Sequence, residues 1–239
     1  MFGVLVAMKV IGMLSAEPAR DGAVAFFGSA RDIAVQSGPA VPRCTPCFTP
    51  GTQITTERGD CPVEQLVVGS RIITRDNGIQ TVRWVGRTQL FLHDFQAEPH
   101  LLPVFIAKGA LGKGLPERDI RLSPNHRVLV ANGRTSLRFA EREVLVAAKH
   151  LTSQGVHVVQ SSGTTYLHFM CDRHEIVLAD GIWTESFQPD DQSLKGLGNA
   201  QRLEIHELFP ELKTEAGRSA YASARLTVAA PEGVVHAAT

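Results

Sequence analysis

Long apolar runs are missing from this 239-residue chain, and none approaches the roughly 18 residues that mark a membrane-spanning helix. An excess of one charge is missing too. Lysine plus arginine and aspartate plus glutamate both count 24, so no electrostatic signature points to nucleic acid, a membrane surface or an acidic substrate. Cysteine is scarce. Four residues are too few for a disulfide scaffold in a chain of this length, and they leave the compartment open. Helix-length amphipathic patterns are absent between the candidate strands, which argues against a parallel βαβ sheet. What remains, 44% hydrophobic and 20% charged residues, suffices for one sizeable core, so one domain with tails is expected.

The chain changes character along its length. Residues 1–46 show little periodicity and carry scattered Gly, Ser, Ala and Pro, the composition of a leader or linker. The opening Met1-Phe2-Gly3-Val4-Leu5-Val6-Ala7 is apolar, but Lys9 interrupts it and no basic stretch precedes it, so a frayed start is expected rather than a cleaved signal. From Phe48 to about Phe187 come short apolar runs of strand length, many rich in β-branched residues. They include Gly51–Thr56, Gly69–Thr74, Thr81–Val85, Val104–Ala107, Arg127–Val130, Glu143–Val146, Val156–Val159, Tyr166–Met170 and Glu175–Leu178. Asp76-Asn77-Gly78, Asn132-Gly133 and Asp180-Gly181 separate some of them as hairpin signals. The fold class is therefore mostly β, with single helical turns expected at Pro62–Leu66 and Ala147–Leu151. Residues 188–239 form a C-terminal extension. Arg202–Phe209 reads there as a short amphipathic helix stopped by Pro210, with its apolar face packed back on the domain. The last 25 or so residues fit no clear pattern.

Three stretches carry residues able to do chemistry. In Cys44-Thr45-Pro46-Cys47-Phe48-Thr49-Pro50-Gly51-Thr52, the CxxC spacing suits a redox or zinc site. Zinc needs a second ligand pair, however, and Cys61 and Cys171 are isolated. Thr49-Pro50-Gly51 disfavours the helix that a thioredoxin-type motif requires. Two unlinked thiols are the plainer alternative. In Ser123-Pro124-Asn125-His126, a tight turn can set Ser123 and His126 on one side, where both could contact one amide; a turn serine with a half-exposed histidine is the alternative. In Asp172-Arg173-His174, two-residue spacing on a strand faces both side chains the same way. That suits a carboxylate orienting an imidazole, and equally a surface ion pair.

Together these stretches resemble the Hint module, the autoprocessing domain shared by hedgehog C-terminal domains and inteins, and in particular its bacterial branch. Cys47-Phe48-Thr49-Pro50-Gly51-Thr52 is similar to the module's first block, and Cys61–Ile72 to the segment after it. Ser123-Pro124-Asn125-His126 resembles the T-x-x-H block with serine for threonine, and His174–Gly181 resembles the late block. The tail Glu207–Leu212 also looks typical of the bacterial branch. The resemblance implies a horseshoe-like β fold over residues 47–187 and a single-turnover self-cleavage without cofactor or metal. Cys47 would attack the Pro46 carbonyl in an N–S acyl shift, and the thioester would pass to water or a small nucleophile. The chain's own N-terminal flank would be the substrate. Ser123 and His126 would serve the developing tetrahedral oxygen and the departing amine, with His174 and Asp172 beside them.

Two departures limit what the resemblance implies. Thr184-Glu185-Ser186 stands where inteins end in His-Asn, and glutamate lacks the amide nitrogen needed to cyclise, so full splicing is not expected. Asp94 lies in the interval between the first block and the T-x-x-H block, where hedgehog domains carry an aspartate that activates a sterol, but no flanking motif aligns it, so sterol transfer is not expected. Pro46 fixes its own φ and restricts how the attacked carbonyl can turn. The alternative from another functional class is a processing-inactive structural or binding module of the same fold.

Overall fold

The computed structural model describes residues 45–131 and 140–228. Cys44, the rest of the leader before it and the Asn132-Gly133 hairpin signal lie outside the described residues. Turn chemistry explains much of the strand order. Asp180 (φ 46°) and Gly181 (φ 82°) form a two-residue turn that joins β12 (Ile176–Ala179) to β13 (Ile182–Glu185), with Ala179 opposite Ile182. Two successive positive φ values make this a type I′ connection. A Cβ on Gly181 would also come within 2.7 Å of the Glu117 side chain. At Asp76-Asn77-Gly78, Gly78 (φ 65°) lets the chain reverse between β3 (Arg71–Thr74) and β4 (Gly78–Thr81).

These hairpins belong to a nine-stranded sheet. Its path runs β14 (Leu226–Val228), β9 (Val144–Ala147), β8 (Arg127–Val130), β13, β12, β1 (Gln53–Thr56), β3 and β4, with β2 (Gly59–Pro62) paired to β1. A three-stranded sheet orders β10 (Val156–Val158), β6 (Val104–Ile106) and β7 (Ile120–Leu122). β5 (Trp84–Phe91) and β11 (Gly163–Met170) form an eight-residue antiparallel ladder in which His168 lies opposite Gly86. The protein is thus mostly β with short helices, as the strand-length runs imply. The turns expected at Pro62–Leu66 and Ala147–Leu151 are 3-10 turns at Val63–Gln65 and Ala148–His150.

One expected strand is divided. Thr81–Val85 breaks at Val82 and Arg83, whose amides leave the β3–β4 ladder to donate to the Ser70 and Met170 carbonyls, 2.8 and 2.7 Å away. α1 (Leu92–Ala97) follows β5, and Asp94 is committed within it: its carboxylate accepts the Phe91 N–H at 2.8 Å and caps the helix.

The described part of the C-terminal extension, up to Val228, carries more regular structure than its sequence suggests. α2 (Asp191–Gly196), α3 (Asn199–Leu208) and α4 (Glu215–Ala220) lead into β14, which runs parallel to β9. α3 realises the helix expected near Arg202–Phe209 and ends before Pro210. A ten-residue helix is marginal alone. It is held by Ile205, buried in a cluster with Trp84, Met170, Phe187, Leu194 and Phe209. The main core is separate and gathers Phe48, Ile54, Ile72, Leu122, Val146 and Phe169 among others.

Candidate functional site

Cys47 sits 2% exposed at the end of a small cluster with Leu90, Phe95, Leu101, Leu102 and Tyr166. Its backbone is fixed on two sides. The Cys47 N–H donates to Ser123 Oγ at 2.8 Å, and the Ser123 N–H donates back to the Cys47 carbonyl at 3.0 Å. The Ser123 hydroxyl donates in turn to the Thr45 carbonyl at 2.8 Å, so one side chain bridges the residues flanking Pro46. The neighbouring Phe48 pairs through both its backbone groups with Leu167, which locks this segment onto β11.

The thiol has two neighbours. Cys47 Sγ is 3.1 Å from the Thr45 carbonyl and 3.0 Å from His168 Nδ1. His168 is 3% exposed and stacks on Trp84 with ring centroids 5.7 Å apart. Burial lowers its pKa to about 4, against the opposing pull of the Gln201 side chain and the Pro46 carbonyl, while His126 pushes it down further. An uncharged imidazole therefore faces the thiol at neutral pH. His168 Nε2 and Gln201 Oε1 are both buried without a hydrogen-bond partner.

His126 is reached through the predicted turn, since its N–H donates to the Ser123 carbonyl at 3.0 Å. Its ring packs on Phe48 at 4.3 Å, and Nε2 lies 2.6 Å from Thr184 Oγ1. The Thr184 hydroxyl donates to the Arg127 carbonyl at 2.7 Å, so it must accept from His126 Nε2–H. That fixes the tautomer and leaves a lone pair on Nδ1, a buried atom with no partner. Burial lowers the His126 pKa to about 4; Glu185 opposes the shift, and Arg127 and His174 add to it.

The third stretch differs from expectation. Residues 171–175 form a bend between β11 and β12 rather than a strand, so Asp172 and His174 part company. Asp172 has a side chain 63% exposed and meets Arg83 at 3.3 Å. His174 is buried, with Nε2 at 3.2 Å from Glu185 Oε2 and Nδ1 accepting the Ala224 N–H at 3.0 Å. The carboxylate beside His174 is thus Glu185, and the structure does not bring Asp172 to it. Glu185 is 0% exposed and also accepts from the Arg127 N–H at 2.8 Å and the guanidinium at 3.0 Å. Burial would raise its carboxyl, but the His174 hydrogen bond and the Arg127 charge outweigh that and hold it below the usual range.

Sequence reasoning missed His168. Its signal was a histidine inside the apolar run Tyr166–Met170, a polar ring that must find a buried partner if the run is core. Of the other described thiols, Cys61 is raised by burial and the Glu64 charge, and Cys171 is pushed up to about 12 by burial. No three His, Cys, Asp or Glu side chains among the described residues are grouped to hold a metal ion. No described helix is long and apolar enough to cross a membrane.

A family model described as the Hint domain matches residues 46–191. Among solved structures, the chain is similar to a bacterial intein-like domain from Clostridium thermocellum, at 13% identity over 59% of this chain and 97% of that one, TM-score 0.39. It is also similar to a DnaB intein from Synechocystis sp. PCC 6803, at 12% identity over 59% and 99%, TM-score 0.39. The AceL NrdHF class 3 split intein is 14% identical over 59% and 97%, TM-score 0.37. No curated protein matches the chain.

Proposed function

The chain belongs to the Hint-domain family, and from that premise we propose that it is a single-turnover autoprocessing protein in which Cys47 opens the Pro46–Cys47 peptide bond by an N–S acyl shift. The observation that carries this reading is the Cys47 thiol, buried at the first residue of the module with His168 Nδ1 3.0 Å from its sulfur. In the reaction, His168 Nδ1 takes the Sγ proton and the thiolate adds to the Pro46 carbonyl carbon. The imidazolium then lies between the thiolate it has released and the Pro46 oxygen, where negative charge develops. Ser123 holds the Cys47 nitrogen in place. As the Pro46 C–N bond breaks, the nitrogen takes the proton that His168 removed from Sγ and becomes the free amine of Cys47, and Pro46 is left as a thioester. His126, neutral and with its Nδ1 lone pair unpartnered, serves this departure by relaying that proton rather than by supplying one. His174 acts at one remove, by fixing Glu185.

The thioester then passes to water or a small nucleophile. A cavity of about 440 Å³ lined by Pro46, Asn125, Lys149, His150 and Ser193 provides the approach. No step is proposed at Glu185, whose carboxylate is tied to Arg127 and His174 and has no amide nitrogen with which to cyclise. In this division residues 1–46 are the leaving segment, 47–187 the processing module and 188–239 the extension.

Mass spectrometry of the purified chain, with and without hydroxylamine or dithiothreitol, tests the proposal. Scission between Pro46 and Cys47 is expected, and it should vanish in Cys47→Ala and fall sharply in His126→Ala. An intact wild-type chain under all conditions refutes processing and leaves the alternative, an inactive structural or binding module.

A further inference from the structure

If Cys47 is to give its proton to His168 Nδ1, that nitrogen must carry the lone pair, and the ring proton must sit on Nε2. A buried Nε2–H needs an acceptor. Gln201, on α3 and outside the segment that the family model matches, offers one. The Gln201 amide nitrogen donates to the Arg87 carbonyl at 2.6 Å. A carbonyl can only accept, so this contact assigns the amide and leaves Oε1 as the free end. Arg87 adjoins Gly86, the residue opposite His168 in the β5–β11 ladder. His168 Nε2 and Gln201 Oε1 are both buried without a hydrogen-bond partner, and the Gln201 side chain is among the groups that act on the His168 ring, so a donor and an acceptor are available to each other.

Two further features hold this arrangement. Gly86 makes the room: a Cβ there would come within 2.7 Å of His168 Cδ2, the ring carbon bonded to Nε2, and within 2.2 Å of the Trp84 ring. Trp84, stacked on His168, donates its indole N–H at 3.1 Å to Glu204, three residues after Gln201 on the same face of α3. The helix therefore holds the Trp84 platform on which the ring stacks.

We infer that Gln201 is a positioning residue that accepts the Nε2 proton of His168 and so presents the Nδ1 lone pair to Cys47, making the C-terminal helix a working part of the processing centre. The inference rests on the proposed acyl shift for its consequence, but its geometry can be read independently. Long-range ¹H–¹⁵N spectra of the full-length chain report the His168 tautomer, and hydroxylamine-trapped scission reports the chemistry. In the wild type the expected tautomer is Nε2–H. Gln201→Leu keeps comparable bulk and removes the acceptor. It should give a mixed tautomer, slow scission by roughly tenfold or more and alter the pH profile of the rate. Gln201→Glu restores an acceptor oxygen and should recover the Nε2–H tautomer. A His168 tautomer unchanged by Gln201→Leu overturns the inference whether or not the chain cleaves. A Gln201-dependent tautomer in a chain that never cleaves supports the positioning role and overturns the acyl shift alone.

Discussion

Two buried polar groups lie close together in this protein and are built on opposite plans. Around Glu185, both carboxylate oxygens are used by Arg127 and His174, and both ring nitrogens of His174 are used by Glu185 and the Ala224 amide. Around Cys47, the backbone and Ser123 are equally well satisfied, but His126 Nδ1 and His168 Nε2 lack well-formed bonds. Burial is nearly complete in both places, so exposure does not separate them. Satisfaction does. A closed network resists change, whereas an imidazole whose Nδ1 faces a thiol at 3.0 Å has the geometry to move a proton. On the proposed reading, the Glu185 group holds β8, β13 and the C-terminal residues together, and the Cys47 group carries the chemistry.

The sharpest way to break that contrast is at Glu185. Glu185→Ala leaves the buried His174 without its carboxylate and takes one of three partners from the half-buried Arg127, which keeps Gln188 and Asp190, so a loss of about 3 kcal/mol in unfolding free energy is expected from denaturant titration. A loss under 1 kcal/mol would show the network to be ornamental.

Acid should act on both groups in the same direction. Burial holds His126 and His168 near 4 instead of 6.5, so below pH 6.5 the unfolded chain binds more protons than the folded one. Their contribution is complete above about pH 6.5 and is lost as the pH falls toward 4, corresponding to roughly 3 kcal/mol for each ring. Glu185, held below its usual value of 4.5, loses its contribution lower still, as the pH falls through its folded pKa. Urea midpoints should therefore decline from pH 6.5 down to about 4, and go on declining below 4.5 as Glu185 is protonated. A flat profile between pH 7 and 4.5 would contradict the burial of the two rings.

His168→Phe separates stability from chemistry. The ring lies between Trp84 and Phe187, an environment suited to phenylalanine. Stability should stay within about 1.5 kcal/mol of wild type, while hydroxylamine-dependent scission should drop by at least about 10²-fold. The smallest effect is expected at Asp172→Asn. Its exposed contact with Arg83 is worth under about 1 kcal/mol, and scission should proceed at the wild-type rate. A large rate loss there would return Asp172 to the site.

Much of the fold was legible because strand periodicity and turn residues are local. Asp180-Gly181 marks its hairpin through the positive φ that both residues adopt, and the helix near Arg202 is bounded by Pro210. β14 was not legible: three residues pairing in parallel with a strand some 80 positions earlier leave no local pattern. In the site, Cys47, Ser123 and His126 could be named from short motifs, because a turn sets Ser123 and His126 within four residues of each other. Asp172 misled because its two-residue spacing from His174 implies a shared face only on a strand, and these residues bend. His168 and Gln201 escaped notice because each sits in an ordinary strand or helix pattern.

The sequence by itself determined the β class, the turn that carries Ser123 and His126, and the cysteine at the head of the module, all consequences of residue type and spacing over a few positions. Only the tertiary structure decided which imidazole meets the Cys47 sulfur, which carboxylate holds His174 and which helix closes over the ring. Those choices depend on pairing β5 with β11 and on seating α3 against Trp84, contacts between residues as many as 121 positions apart. Local propensity does not encode such distances; burial and the need to satisfy buried polar groups select them.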